Sequence, residues 1–229
     1  MEIKKLLIAN RGEIALRIIR SARKLGIKTV ALTTEIEKES QHAKLADEVV
    51  VIGKGPSADS YLSIDKIIES CKKTNAQAIH PGYGFLSQSS DFVDIANKNN
   101  IIFVGPSANA MLKMGSKSWS KKLMEENGVP VIKGYVGENQ DPQYLLEQAH
   151  IITFPVMIKA TMGGGGKGMR LSRNEADFMD NLKSAKNEAM TAFGNDEVII
   201  EKFIENPKHI EVQIIGDNYG NIIDLFERD

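Results

Sequence analysis

The chain has 229 residues, 42% hydrophobic and 26% charged, with 29 basic against 30 acidic side chains. That near-neutral balance argues against bulk nucleic-acid binding and against attachment to an anionic membrane surface. The single cysteine, Cys71, excludes an internal disulfide and fits a reducing compartment, and no apolar run approaches the roughly 20 residues of a membrane span.

Residues 3–9 are an apolar run of the kind that forms a buried parallel strand, and they lead straight into a folded unit with no secretory leader in view. Ile14, Ile18, Ala22 and Leu25 recur at helical spacing over 13–25, and Gly26 stands at the stop position. Residues 28–34 read as a second strand, so the unit is βαβ with a right-handed crossover. The turn between has one glycine, which argues against a dinucleotide site and leaves Glu35 a poor ribose-binding acid.

The alternation continues with a strand at 47–52, a helix capped by Ser63 and running to about 73, and a short strand at 76–79. That strand runs into HPGYGFL at 80–86. Loops after strand C-termini are where open α/β sheets bind ligands, so this one is a site candidate, with a plain tight turn as the alternative. A helix at 91–98 and a strand at 101–104 complete the unit, and 108–114 reads as a further helix. Lys117 then precedes a helix at 118–126. A lysine opposes the helix dipole there, which a bound anion would resolve and an exposed side chain would tolerate. Residues 134–141 read as a loop leading into a helix at 142–149.

The stretch 158–170, IKATMGGGGKGMR, places four glycines between Lys159 and Lys167 and between two strand-like runs. Glycine N–H groups approach an anion without side-chain interference, and a polyphosphate is the natural ligand. The stretch is no Walker A loop, since Gly168 follows Lys167. Gly163, Gly165 and Gly168 match a dinucleotide fingerprint, but a strand follows them where that motif requires a helix. A flap closing over phosphates and a plain solvent loop both remain. The strand at 154–160, the strand at 167–171, an amphipathic helix at 175–191 and a strand at 197–202 make a separate α+β unit, with 201–204 as a hinge.

The tail alternates with period two. His209, Glu211 and Gln213 face one way, and Ile210, Val212 and Ile214 face a core. The polar row is either a solvent face or a line of ligand-bonding groups. A turn at 217–220 and a strand at 222–226 close a hairpin.

Taken in order, IANRGEIA at 8–15, HPGYGFLS at 80–87, MGSK at 114–117, Lys159 with 163–169, Glu201-Lys202 and HIEVQ at 209–213 resemble the biotin carboxylase family of the ATP-grasp superfamily. The resemblance covers the whole chain. It implies a Rossmann-like α/β domain with a parallel sheet at 1–115, an ATP-grasp linker and lid at 116–204, and the start of an incomplete C-terminal ATP-grasp region at 205–229. The implied reaction is carboxylation of biotin on a carrier domain, with ATP and bicarbonate forming carboxyphosphate.

By the same resemblance Lys117, Lys159, Gly164, Gly165 and Gly166 bind nucleotide phosphates, and Met169 lines the adenine pocket. Glu201, Lys202 and Ile204 form the adenine hinge, Phe203 is a further ATP-binding residue, and Glu201 or His209 lies near the ribose. Tyr83, Gly84 and Glu211 lie on the biotin side. Three residues depart from the family pattern: Gln88 replaces a usual Glu, Thr161-Met162 replaces smaller residues before the glycines, and Trp119 replaces a small one.

Members of this family run to about twice this length on a core-plus-lid plan. The resemblance therefore implies that Mg²⁺ ligands and a bicarbonate-binding arginine lie downstream, that no catalytic set is complete within the 229 residues, and that the chain alone is inactive. The implied partners are a carboxyltransferase subunit and further copies of the parent chain. Residues 115–118 and 134–141 resemble most the acyl-CoA carboxylase of leucine breakdown. Acetyl-CoA, propionyl-CoA and pyruvate carboxylases, or a non-catalytic nucleotide-binding module, are the alternatives. The implied location is the cytoplasm of a bacterium or the mitochondrial matrix.

Overall fold

A computed structural model describes residues 2–162 and 168–229, with the side chain of Lys117 left out. The chain divides into two compact units, Met1–Ser120 and Lys121–Asp229.

The first unit is a five-stranded parallel sheet. Strands β1 (Lys5–Ile8), β2 (Lys28–Thr33), β3 (Glu48–Val51), β4 (Ala78–His80) and β5 (Ile102–Phe103) lie in the order β3-β2-β1-β4-β5. Successive side chains of β1 enter different cores, as the period of two requires. Leu6 and Ile8 pack against Ala15, Ile18, Ile19 and Ala22 of α1 (Gly12–Lys24). Leu7 and Ala9 join a second cluster with Ile67, Ile68 and Cys71 of α3 (Ile64–Thr74) and Phe92 and Ala96 of α4 (Ser90–Lys98). Both faces of the central strands are thus covered, which is why β1 and β2 read as continuous apolar runs, while Val49 and Val51 of edge strand β3 stay exposed. Burial pushes the Cys71 thiol up to about 12, as expected of an inert packing residue.

Some local readings need correction. Residues Gln41–Leu45 form a short helix, α2, that the sequence pattern does not announce. Ser63 occupies the N-cap of α3 but makes no side-chain capping bond. Caps do form at Ser89, whose hydroxyl accepts from Phe92 N, and at Ser107, which accepts from Ala110 N at the start of α5 (Ala108–Gly115). Helix α6 (Lys117–Glu126) spans the division between the units.

The second unit contains a four-stranded antiparallel sheet. Its strands β6 (Gly134–Tyr135), β7 (Val156–Ala160), β8 (Met169–Ser172) and β9 (Val198–Lys202) lie in the order β6-β9-β7-β8. Strand β6 falls inside the stretch expected to be a loop, because Gly134 pairs with Glu201 and Tyr135 with Ile200. One face of this sheet carries Val156, Ile158, Val198 and Ile200. They pack on Leu145, Ala149 and Ile152 of α7 (Pro142–Ile152) and on Phe178, Leu182 and Ala185 of α8 (Phe178–Phe193). Helix α7 starts where Asp141 accepts from Gln143 N and Tyr144 N, both at 3.0 Å, with Pro142 in the first turn.

The tail forms the hairpin β10 (Glu211–Gly216) and β11 (Ile222–Arg228). It was expected to bury the face of Ile210, Val212 and Ile214, yet all three are more than half exposed, at 59%, 54% and 60%. Each strand's own partner is the other, and every residue of both is exposed among the described residues. The strict alternation also breaks, because the register shifts between Val212 and Ile214.

Candidate functional site

Across the antiparallel ladder Met157 stands opposite Glu201 and Leu171, and Lys159 opposite Ile199 and Met169. These positions alternate with the core residues, so Lys159, Met169 and Glu201 share the face turned away from α7 and α8. Three of the residues expected to meet a nucleotide are therefore gathered on one face.

Their centre is Glu201, 8% exposed. Lys159 Nζ donates to its Oε2 at 2.6 Å and Lys121 Nζ to its Oε1 at 2.9 Å. Burial alone pushes the Glu201 carboxyl up. The hydrogen bonds from Lys159 and Lys121, with their charges, outweigh burial and hold it below the ordinary carboxylate range. Sequence reasoning missed Lys121, which lies eighty positions from its partner along the chain. Lys121 also lines a cavity of about 630 Å³ with Lys122, Glu125, Lys133, Gly134 and Tyr135, on the side of the sheet edge formed by β6.

Lys202 is oriented differently. Its ammonium donates to the carbonyls of Thr153 at 3.0 Å and Phe154 at 2.9 Å, beyond the end of α7. Its side chain serves the packing of that loop, and its main-chain N–H donates to Lys133 O at 2.8 Å. Phe203 N donates to Pro155 O at 3.0 Å, Ile204 is half exposed, and His209 is exposed before β10. Glu211 is exposed and accepts from Arg228 Nε at 2.6 Å. Gly164, Gly165 and Gly166 lie outside the described residues, as do Gly163 and Lys167. Lys117 opens α6, and its side chain is likewise outside the description.

In the first unit, the loop after β4 meets the loop after β1 where the strand order reverses, the usual ligand position in such sheets. Buried Asn10 ties the two together: its Nδ2 donates to Pro81 O and Tyr83 O, both at 2.7 Å. A side chain at Gly82 would strike that amide, since a Cβ there lies 2.8 Å from Asn10 Nδ2. His80 Nδ1 accepts from Gly82 N at 3.0 Å, so it braces the turn, and burial holds the imidazole below its usual range and thus neutral. Tyr83 is 61% exposed and its hydroxyl donates to Glu13, while Gly84 has open space around it. Glu35 pairs with Lys38, and neighbouring Glu37 instead accepts from Thr34, Tyr61 and Arg11.

Residues 2–111 match the family described as biotin carboxylase, N-terminal domain, and residues 116–229 match the carbamoyl-phosphate synthase L chain, ATP binding domain. The chain belongs to the biotin carboxylase family. Among curated relatives, the mitochondrial methylcrotonoyl-CoA carboxylase subunit alpha of Mus musculus is 52% identical over 99% of this chain and 32% of its own length. Biotin carboxylase 1 of Bacillus subtilis is 50% identical over 99% of this chain and 50% of its own. The chain thus spans half or less of these biotin carboxylase relatives.

Solved structures agree. The biotin carboxylase–βγ-ATP complex of Campylobacter jejuni superposes with a TM-score of 0.95 at 48% identity, covering 99% of this chain and 51% of that one. The biotin carboxylase domain dimer of Hydrogenobacter thermophilus 2-oxoglutarate carboxylase, solved with MgADP, ADP and bicarbonate, gives 0.93 at 45% identity over 99% and 50%. The fold is therefore that of the biotin carboxylase ATP-grasp enzymes. No described helix is long and apolar enough to cross a membrane.

Proposed function

We propose that this chain supplies the nucleotide-binding part of an ATP-dependent biotin carboxylase, within an enzyme that carboxylates biotin on a carrier domain and passes the group to a carboxyltransferase. The observation that carries this reading is the Lys159–Glu201–Met169 face, in a chain that matches a biotin carboxylase solved as a βγ-ATP complex. In this scheme bicarbonate takes the γ-phosphoryl group of ATP, giving carboxyphosphate and ADP.

Catalysis of such a transfer is chiefly positioning and electrostatics. Lys159 brings a positive charge to the polyphosphate. Met169, with Met157, Leu171 and Ile199 on the same face, offers apolar surface to the adenine. Glu201 holds Lys159 in place, with 201–204 as the hinge along the base and His209 beside the ribose. Lys117 and Gly164, Gly165 and Gly166 complete the phosphate contacts in this assignment, and Tyr83, Gly84 and Glu211 face biotin. The described residues include no group of three His, Cys, Asp or Glu side chains arranged to hold a metal ion. The domain scheme 1–115, 116–204 and 205–229 belongs to the same proposal.

Among carboxylases we favour methylcrotonoyl-CoA carboxylase. The mouse alpha subunit supports this, with the resemblance at 115–118 and 134–141. The chain alone is proposed to bind ATP without turning it over, and its parent to be a homo-oligomer, in a mitochondrial matrix or a bacterial cytoplasm according to its source. Titration calorimetry with ATP tests the site: wild-type chain binds, while Lys159→Ala and His209→Ala each lose affinity. Equal heats from all three proteins would overturn the assignment.

A further inference from the structure

Glu201 is a carboxylate with two cationic partners, one on each oxygen. Lys159 comes from the same face of the sheet, and Lys121 reaches in from α6. The lysine side chains are 25% and 12% exposed respectively, so Lys121 is the more enclosed of the two. Its approach depends on an absent side chain. A Cβ on Gly134 would lie 2.8 Å from Lys121 Nζ, 3.1 Å from Glu201 Cγ and 2.5 Å from the Ile200 carbonyl. Strand β6 therefore leaves a gap through which Lys121 meets Glu201.

The arrangement matters because one of the two lysines has other work. When Lys159 turns towards phosphate, a carboxylate paired with it alone would be left buried and uncompensated, which opposes the movement. A second, fixed cation removes that opposition. We infer that Lys121 is a positioning residue: it is the standing counter-ion of Glu201 and sets how firmly Glu201 holds Lys159. The inference rests on the proposed nucleotide site for its purpose, but the coupling between the two lysines is measurable without nucleotide.

The test is acylation of lysine amines in the whole chain by a small anhydride, with each site followed by mass spectrometry. A lysine held as an ammonium on a carboxylate reacts slowly. In Lys121→Met, Glu201 leans on Lys159 alone, and Lys159 acylation slows by about threefold, the scale of a partly exposed ion pair. In Lys159→Met the same slowing appears at Lys121. Both effects vanish in a Glu201→Gln background, because the coupling runs through that carboxylate; a purely structural role for Lys121 would not give this pattern. Unchanged or faster Lys159 acylation in Lys121→Met overturns the inference, as does equal slowing with and without Glu201. Adding ATP to the wild-type chain reads the other question. Protection of Lys159 supports the nucleotide site, and its absence sinks that reading while the coupling between the lysines stands or falls on the first arms.

Discussion

Lys159 and Glu201 stand on neighbouring strands, two rungs apart on the ladder, and their side chains close to 2.6 Å across the diagonal. The contact ties the lysine proposed to meet phosphate to the proposed hinge, and it has a pH signature. The Glu201 carboxyl is held below its ordinary 4.5, so folding favours its ionised form. Its contribution is fully present above that value and is lost as pH falls through the lower, folded one. Glu201→Gln is expected to cost roughly 1–3 kcal/mol at neutral pH by leaving two lysines without their carboxylate. Urea midpoints measured from pH 7 downwards should show that difference shrinking only in the acid range.

Lys159 pairs with Glu201, whereas Lys202, next to it in β9, sends its side chain to the loop beyond α7, so the two should behave differently when removed. Lys159→Ala is expected to weaken ATP binding by about tenfold or more, the scale of one lost charge-assisted contact. Lys202→Met loses its bonds to Thr153 and Phe154. It should lower unfolding stability by about 1 kcal/mol and leave ATP affinity little changed. Calorimetry and urea unfolding on the same two variants separate the roles.

Gly168 closes the hairpin between β7 and β8 at φ +67°, with its carbonyl accepting from Ala160 N at 2.9 Å. A methyl group there would sit 2.8 Å from Ala160 Cβ. Gly168→Ala is therefore expected to cost about 1–2 kcal/mol from backbone strain, with the clash added. The thermal midpoint should fall while Gly194→Ala, in open space at the end of α8, lowers it less.

Tyr61 is buried, stacks on Phe85 at 5.1 Å and donates to Glu37 at 2.9 Å. Burial raises the Tyr61 phenol, and the bond to Glu37 raises it further. Tyr61→Phe keeps the stack and loses one hydrogen bond, an expected cost of about 1 kcal/mol. Tyr61→Ala removes the ring as well, at about 3–5 kcal/mol. Denaturant unfolding of the two variants should show that gap.

Most of the fold was legible because it rests on local patterns. The apolar runs at β1, β2 and β9 and the helical spacing in α1 and α8 each state their own element. Strand β6 was not legible, since Gly134 and Tyr135 are a strand only by virtue of β9 beside them. Helix α2 is too short for its period to register. The site divides the same way. Lys159, Met169 and Glu201 were named through a recognisable order of motifs and share one face, whereas Lys121 enters through a pairing across eighty residues that no local spacing encodes. The buried face assigned to the tail failed because alternation marks an amphipathic strand without naming what covers it.

The sheet of the second unit assigns its two tasks to alternate residues of the same strands. Val156, Ile158 and Ala160 hold the unit together, while Met157 and Lys159 face the other way. Tolerance to substitution along β7 should therefore rise and fall with every step. A saturation scan of β7 scored for folding should print that rhythm as a comb of sensitive positions at 156, 158 and 160, with Met157 tolerant and Lys159 limited by its pairing with Glu201.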